Sequence, residues 1–185
     1  MKRQLVLAVT VGVMVLSVGL VLMAGERVAQ AAPPDKSKPN QSWDENLTGT
    51  ARFTVLSAFG GAAVRDNNTG LVWEQTAGFV AIIWGTATHY CVNKNVGGTV
   101  GWRLPSVGEL KSLQDASPGA IAPFVPAVFT INPGNYWAAT VNAGDPTRAW
   151  VVNFASGSVD SYDKTDPVYA LNAWCVRGPM NADQY

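Results

Sequence analysis

The chain has 185 residues but only one histidine and two cysteines. Little is therefore available for imidazole acid–base work or for metal sites built on thiolates. The two thiols, Cys91 and Cys175, lie far apart and lack the close pairing of a structural zinc site. No glycine-rich phosphate loop, dinucleotide fingerprint or nucleophile elbow occurs either. Charge is scarce too. Charged residues make up 14% of the chain, against about 25% in an average soluble domain. Thirteen basic side chains balance thirteen acidic ones. A nucleic-acid binder would need a basic excess to neutralise phosphates, so that class is excluded.

What is present starts at the N-terminus. Lys2 and Arg3 precede an apolar run from Leu5 to Ala24, and Ala29 and Ala31 fit an A-x-A cleavage signal. Residues 1–31 read as a signal peptide. An uncleaved anchor is the alternative, since about 20 apolar residues can span a bilayer. It would be the chain's only membrane contact. Both readings place the remainder outside the cytoplasmic membrane: periplasmic, on the surface or secreted. Removing residues 1–31 takes away Lys2, Arg3, Arg27 and Glu26 and leaves a formal charge of minus two. In an exported chain an even pair of cysteines reads as a disulfide, here Cys91–Cys175. Closing a loop of that length stabilises by on the order of 4 kcal/mol in the chain-entropy model.

Residues 32–50 are polar, rich in Pro, Asn and Ser, and read as a linker. The domain follows at 51–179, with a tail at 180–185. "RFTVL" reads as a first strand. "FGGAAVRD" and "NNTGLVWEQ" form a hairpin with Gly70 free for positive φ. From Trp84 to Asn93, residues Trp84, Ala87 and Cys91 share a helical face. Ser106 and Glu109 make a capping box for a second helix, with Val107, Leu110 and Leu113 as its stripe. Residues 116–135 carry four prolines and read as a long loop. "NYWAATV" and "TRAWVVNF" are strands, the second with Trp150, Val152 and Phe154 facing inward. "SVDSY" returns after a turn, and "VYALNAWCVRG" closes the domain as a last strand. The order predicts an α+β fold, mostly antiparallel sheet with two short helices and long loops.

Several strings recur in a recognisable order: "TGLVWEQ", "W-x-x-A-x-x-YC", "VGG-x-x-GWRLPSVGELKSL", "YWAAT", "AWVVNFASG" and "WCVRG". Together they resemble the Lcl C-terminal domain family over roughly residues 51–185. The resemblance implies a C-type-lectin-like domain exported by bacteria, in a family whose members mostly have no assigned activity. The namesake's domain ends a trimeric collagen-like adhesin and binds sulfated polysaccharides. No Gly-x-y repeat precedes the domain here, and Ala138 and Ala139 stand where the family commonly has serine.

Candidate functional residues are few. His89 reads as an exposed helix residue rather than a base, because no partner is nominated. Asp160, Asp163 and Asp166 recur every three residues. They could bind calcium, but the spacing is not that of an EF-hand, and a solvated hairpin end is the simpler reading. The tryptophans and Tyr136 could stack on sugars, yet at least five of Trp73, Trp84, Trp102, Tyr136, Trp137, Trp150 and Trp174 are expected to be buried. Trp43 in the linker is expected to be exposed. Arg103, set in "GWRLP" just before the capped helix, reads as a structural pin. Its partner is left open among Glu109, Asp66, Glu74 and backbone carbonyls.

The function expected is that of a non-catalytic binding or adhesion module. Its partner would be a polysaccharide or a surface protein, met through the loops at 116–135, 142–148 and 160–167. Asn142, Asp145, Arg148, Asp163 and Lys164 are the ligand-contact candidates, and no cofactor is expected. The alternatives are a structural envelope component and an envelope enzyme with an unrecognised site.

Overall fold

The computed structural model describes residue 47 and residues 51–114 and 122–178. The chain divides into two units, Met1–Asp35 and Lys36–Tyr185, and all described residues lie in the second. Readings that fall on the N-terminal segment, Trp43 or the C-terminal tail lie outside the described residues. Among the described residues no helix is long and apolar enough to cross a membrane.

Two antiparallel sheets make the domain. The first has the order β1-β2-β3-β7, from Phe53–Val55, Ala63–Asp66, Val72–Glu74 and Val176–Arg177. The second is β4-β5-β6, from Asn135–Val141, Arg148–Asn153 and Val159–Asp163. Two helices, α1 (Trp84–Val92) and α2 (Val107–Ser112), lie between β3 and β4 in the chain. The expected α+β class is present. The expected hairpin forms as well: Gly70 takes φ 76°, and its N–H closes the turn on Asp66 O at 2.8 Å.

There are two cores, and β5 separates them. Val152 and Phe154 enter one, with Trp73, Tyr136, Trp174 and Leu110. Ala149 and Val151 enter the other, with Trp102, Trp137, Cys91 and Cys175. The expected inward face of Trp150, Val152 and Phe154 is therefore correct but incomplete. β5 is the middle strand of a sheet covered on both sides, so its apolar run is nearly continuous. Five of the seven aromatics, Trp73, Trp102, Tyr136, Trp137 and Trp174, are buried, while Trp84 and Trp150 are half-buried. Trp174 is the hub of the first core, edge-on to Phe129 at 5.1 Å and to Phe154 at 5.7 Å.

The disulfide joins Cys91 of α1 to Cys175. Cys175 lies just before β7, which has only two residues, and not within a long closing strand as the sequence suggested. The reason is that this segment changes partners. Leu171 pairs with Ile82, Asn172 with Asn135, and Val176 with Arg103. A chain passing between two sheets cannot keep one ladder for long. The loop at 122–134 is likewise more deeply placed than expected. Its Phe129 and Ile131 are buried, and Thr130 exchanges backbone bonds with Gln75 and Ala77.

The capping box is present as read. Ser106 Oγ accepts from Glu109 N at 3.1 Å, and Glu109 Oε2 accepts from Ser106 N at 2.8 Å. Arg103 donates two bonds to the same carboxylate, at 2.7 and 2.6 Å. Glu109 thus serves cap and pin together. Asp66 and Glu74 are taken by other cations, Arg52 at 2.9 Å and Lys94 at 2.8 Å.

Arg103→Ala is expected to destabilise by about 2 kcal/mol, a Tm drop of about 5–10 °C, because Glu109 stays mostly buried and loses two charged bonds. Thermal unfolding by circular dichroism checks this, and an unchanged Tm contradicts it. Gly97 offers an independent check. It takes φ +55°, and a methyl there would stand 2.5 Å from the Phe59 backbone. Gly97→Ala should cost about 2–4 kcal/mol in the same assay.

Candidate ligand-binding end of the second sheet

The five candidate contacts do come together, at the end of β4-β5-β6 where β4 turns into β5 and β6 ends. The β4–β5 turn is built from its own side chains. Asn142 Oδ1 accepts from Gly144 N at 2.9 Å. Asp145 Oδ1 accepts from Thr147 N at 3.1 Å and Thr147 Oγ1 at 2.6 Å. The chain after β6 repeats the device. Asp163 Oδ1 accepts from Thr165 N at 2.7 Å, Thr165 Oγ1 at 2.8 Å and Asp166 N at 3.2 Å. Asp166 in turn caps the 3-10 turn Pro167–Tyr169 through Val168 N. Short side chains that bond the backbone two residues on favour such turns.

Register then sorts the candidates by face. Arg148 stands opposite Asp163, and Ala149 opposite Tyr162. Directly opposed residues share a face and successive residues alternate. Arg148 therefore lies on the Asp163 face, where Ser161 joins it. Arg148 Nε and Asn142 Nδ2 both donate to Ser161 Oγ at 3.1 Å, and the Arg148 guanidinium also donates to Ser161 O. Lys164 goes to the other face. Its Nζ stands over the Trp84 ring, 5.0 Å from the centroid.

That second face carries aromatics that the sequence reading did not assign to a site. Tyr162 and Tyr169 stack with centroids 4.6 Å apart and planes 11° from parallel. Trp84 is fixed by its indole N–H to Ala138 O at 2.8 Å. All three rings are half-buried, and Val168 beside them is exposed. Among the described residues neither tyrosine hydroxyl makes a hydrogen bond. The available signal was the i, i+2 spacing of Tyr162 and Lys164, which puts both on one face of a strand.

The electrostatics follow from the turns. The bonds from Thr147, its hydroxyl first, hold the Asp145 carboxyl below its ordinary 3.8. Asp163 is held down by Thr165, the backbone N–H first, and both carboxylates feel Arg148. Both are therefore charged at neutral pH. Among the described residues no three His, Cys, Asp or Glu side chains gather as a metal-holding group. His89 is exposed on α1.

Residues 62–177 match the sequence model of the Lcl C-terminal domain. No curated protein matches the chain.

The turn bonds predict how these carboxylates titrate. A depressed folded pKa favours folding above the ordinary value, and this contribution is lost as pH falls through the folded pKa. Carboxyl titration by NMR should find Asp145 and Asp163 both below 3.8. Thr147→Ala should raise Asp145 and leave Asp163 nearly unmoved, and Thr165→Ala should do the reverse. Equal shifts of both in either variant would remove the local cause.

Proposed function

The chain belongs to the Lcl C-terminal domain family, and on that premise we propose that it is an exported, non-catalytic binding or adhesion module. Its ligand is a glycan or another envelope component, met at the end of β4-β5-β6. The fold this reading assigns is C-type-lectin-like, supported by the two antiparallel sheets, two short helices and cross-linking disulfide. Export is supported by the apolar N-terminal run with its A-x-A signal and by the disulfide, which belongs to oxidising compartments.

One observation carries the binding reading. Trp84 at the start of α1, Tyr162 on β6, and Lys164 and Tyr169 after it form a half-buried aromatic and cationic surface. Ring faces with polar rims suit ligands that present both C–H faces and hydroxyls. The polar side chains around it are spent on turn geometry rather than aimed at a reacting centre, which supports a binding role over a catalytic one. The surroundings are acid-rich. Asp145, Asp163 and Asp166 each bind a turn through one oxygen, and Arg148 is committed to Ser161. A neutral ligand therefore fits this end better than a sulfated one.

A glycan array and a pull-down from envelope extract, both with the secreted form, test the reading. Val168→Asp, at an exposed position, should weaken binding about tenfold while the Tm stays within about 2 °C, and Tyr169→Ser should weaken it at least as much with a lower Tm, because its ring also packs on the second core. Binding unchanged in both variants, or no ligand retained by folded protein, would reject the site.

A further inference from the structure

We propose that Glu74, with Lys94, docks helix α1 and seats Cys91 against Cys175 before the disulfide forms, so that oxidation locks a helix already in place. Glu74 sits on β3 with its side chain 3% exposed. One oxygen, Oε2, accepts from Cys175 N at 2.9 Å. The other, Oε1, takes the Lys94 ammonium at 2.8 Å. Glu74 also holds this stretch through its own backbone. Its N–H donates to Cys175 O at 3.2 Å, and its O accepts from the Trp174 indole at 2.9 Å.

Lys94 lies just beyond α1 and is tied to it. Its N–H donates to Cys91 O at 3.0 Å, and its ammonium contacts the Tyr90 hydroxyl and lies over the Tyr90 ring, 4.3 Å from the centroid. A single carboxylate therefore grips both partners of the bond, Cys175 directly and Cys91 through the end of its helix. Gly78 leaves room for this arrangement, since a methyl there would collide with the Tyr90 hydroxyl.

None of these contacts needs the S–S bond. Charged, largely buried hydrogen bonds are among the stronger polar interactions in a fold, and breaking one side strands the other. The clamp thus supplies docking energy that the dithiol form retains. Oxidation by a small-molecule disulfide is then a two-step exchange. A Cys91 or Cys175 thiolate attacks the reagent and releases one thiol. The second protein thiolate attacks the mixed disulfide and releases the other. Two protein thiols are oxidised to one disulfide, and one reagent disulfide is reduced to two thiols. Seating the two sulfurs together speeds the second, intramolecular attack.

The test uses the secreted chain, reduced or oxidised, with hydrogen exchange of the peptide 84–94 read by mass spectrometry and reoxidation by glutathione disulfide followed by thiol quenching. Reduced parent protein should keep α1 protected. Reduced Glu74→Gln and Lys94→Met should each exchange about tenfold faster in that peptide and close the bond more slowly, as expected for loss of a charged hydrogen bond. Their oxidised forms should keep the parent's protection, which shows that the variants fold. Loss of α1 protection in the reduced parent, or unchanged exchange and closure in both reduced variants, would overturn the assignment.

Discussion

The passage of residues 171–177 between the two sheets is the constraint on which the rest of the structure depends. Ala173, Trp174, Cys175 and Val176 are all fully buried. Their side chains alternate between the cores, Trp174 and Val176 entering one and Ala173 and Cys175 the other. Buried backbone must find hydrogen bonds, and a segment that changes sheets cannot draw them from one neighbour. Asn172 O accepts from Trp137 N, Cys175 N reaches a side chain, and Val176 exchanges both bonds with Arg103. Cys175 explains why Glu74 is acidic in so apolar a place. The β3–β7 ladder starts at Trp73 and Val176, so the Cys175 N–H is left to a carboxylate oxygen. Burial pushes the Glu74 carboxyl above its ordinary 4.5, against the pull of Lys94 and that N–H.

The same passage explains the opening stretch of the second helix. Arg103 pairs its backbone with Val176 and its guanidinium with Glu109. Glu109 in turn caps α2, and α2 is tied to β4 through Val107 N and Thr140 Oγ1 at 3.0 Å. One run of contacts thus connects the crossing segment, the arginine, the helix cap and the second sheet. An arginine fork suits this work because it delivers two bonds in one plane while the carboxylate still has lone pairs for the cap.

Legibility in the sequence followed the range of the interaction. The capping box at Ser106–Glu109, the turn before Gly70 and the strand "NYWAATV" were readable because each is set by residues a few positions apart. The disulfide was readable because only two cysteines exist. Pairings over long separations were not. Arg52 with Asp66 and Lys94 with Glu74 could not be told from other charge pairs. The two-sided burial of β5 was missed because alternation was assumed where both faces are covered. Asn142, Asp145, Arg148, Asp163 and Lys164 lie at one end of the second sheet, as their places in successive turns suggested. Their division between two faces, and the Tyr162–Tyr169 stack, needed the register of β5 against β6.

That division bears on how the end of the sheet can work. Among the described residues, Asp66, Glu74 and Glu109 are consumed by internal ion pairs. The other four carboxylates, Asp145, Asp160, Asp163 and Asp166, all lie in the β4–β5 turn, on β6 or just after it. Asp145, Asp163 and Asp166 each use one oxygen to lock a turn. Rigid turns lower the ordering cost of binding, because the loop conformations are set before a ligand arrives. The acids thus fix the two turns at this end, while Trp84 is held on α1 by Ala138 O and Tyr162 on β6 by its pairing with β5. Negative charge is therefore concentrated at this end of the domain by the same carboxylates that the fold needs for its turns.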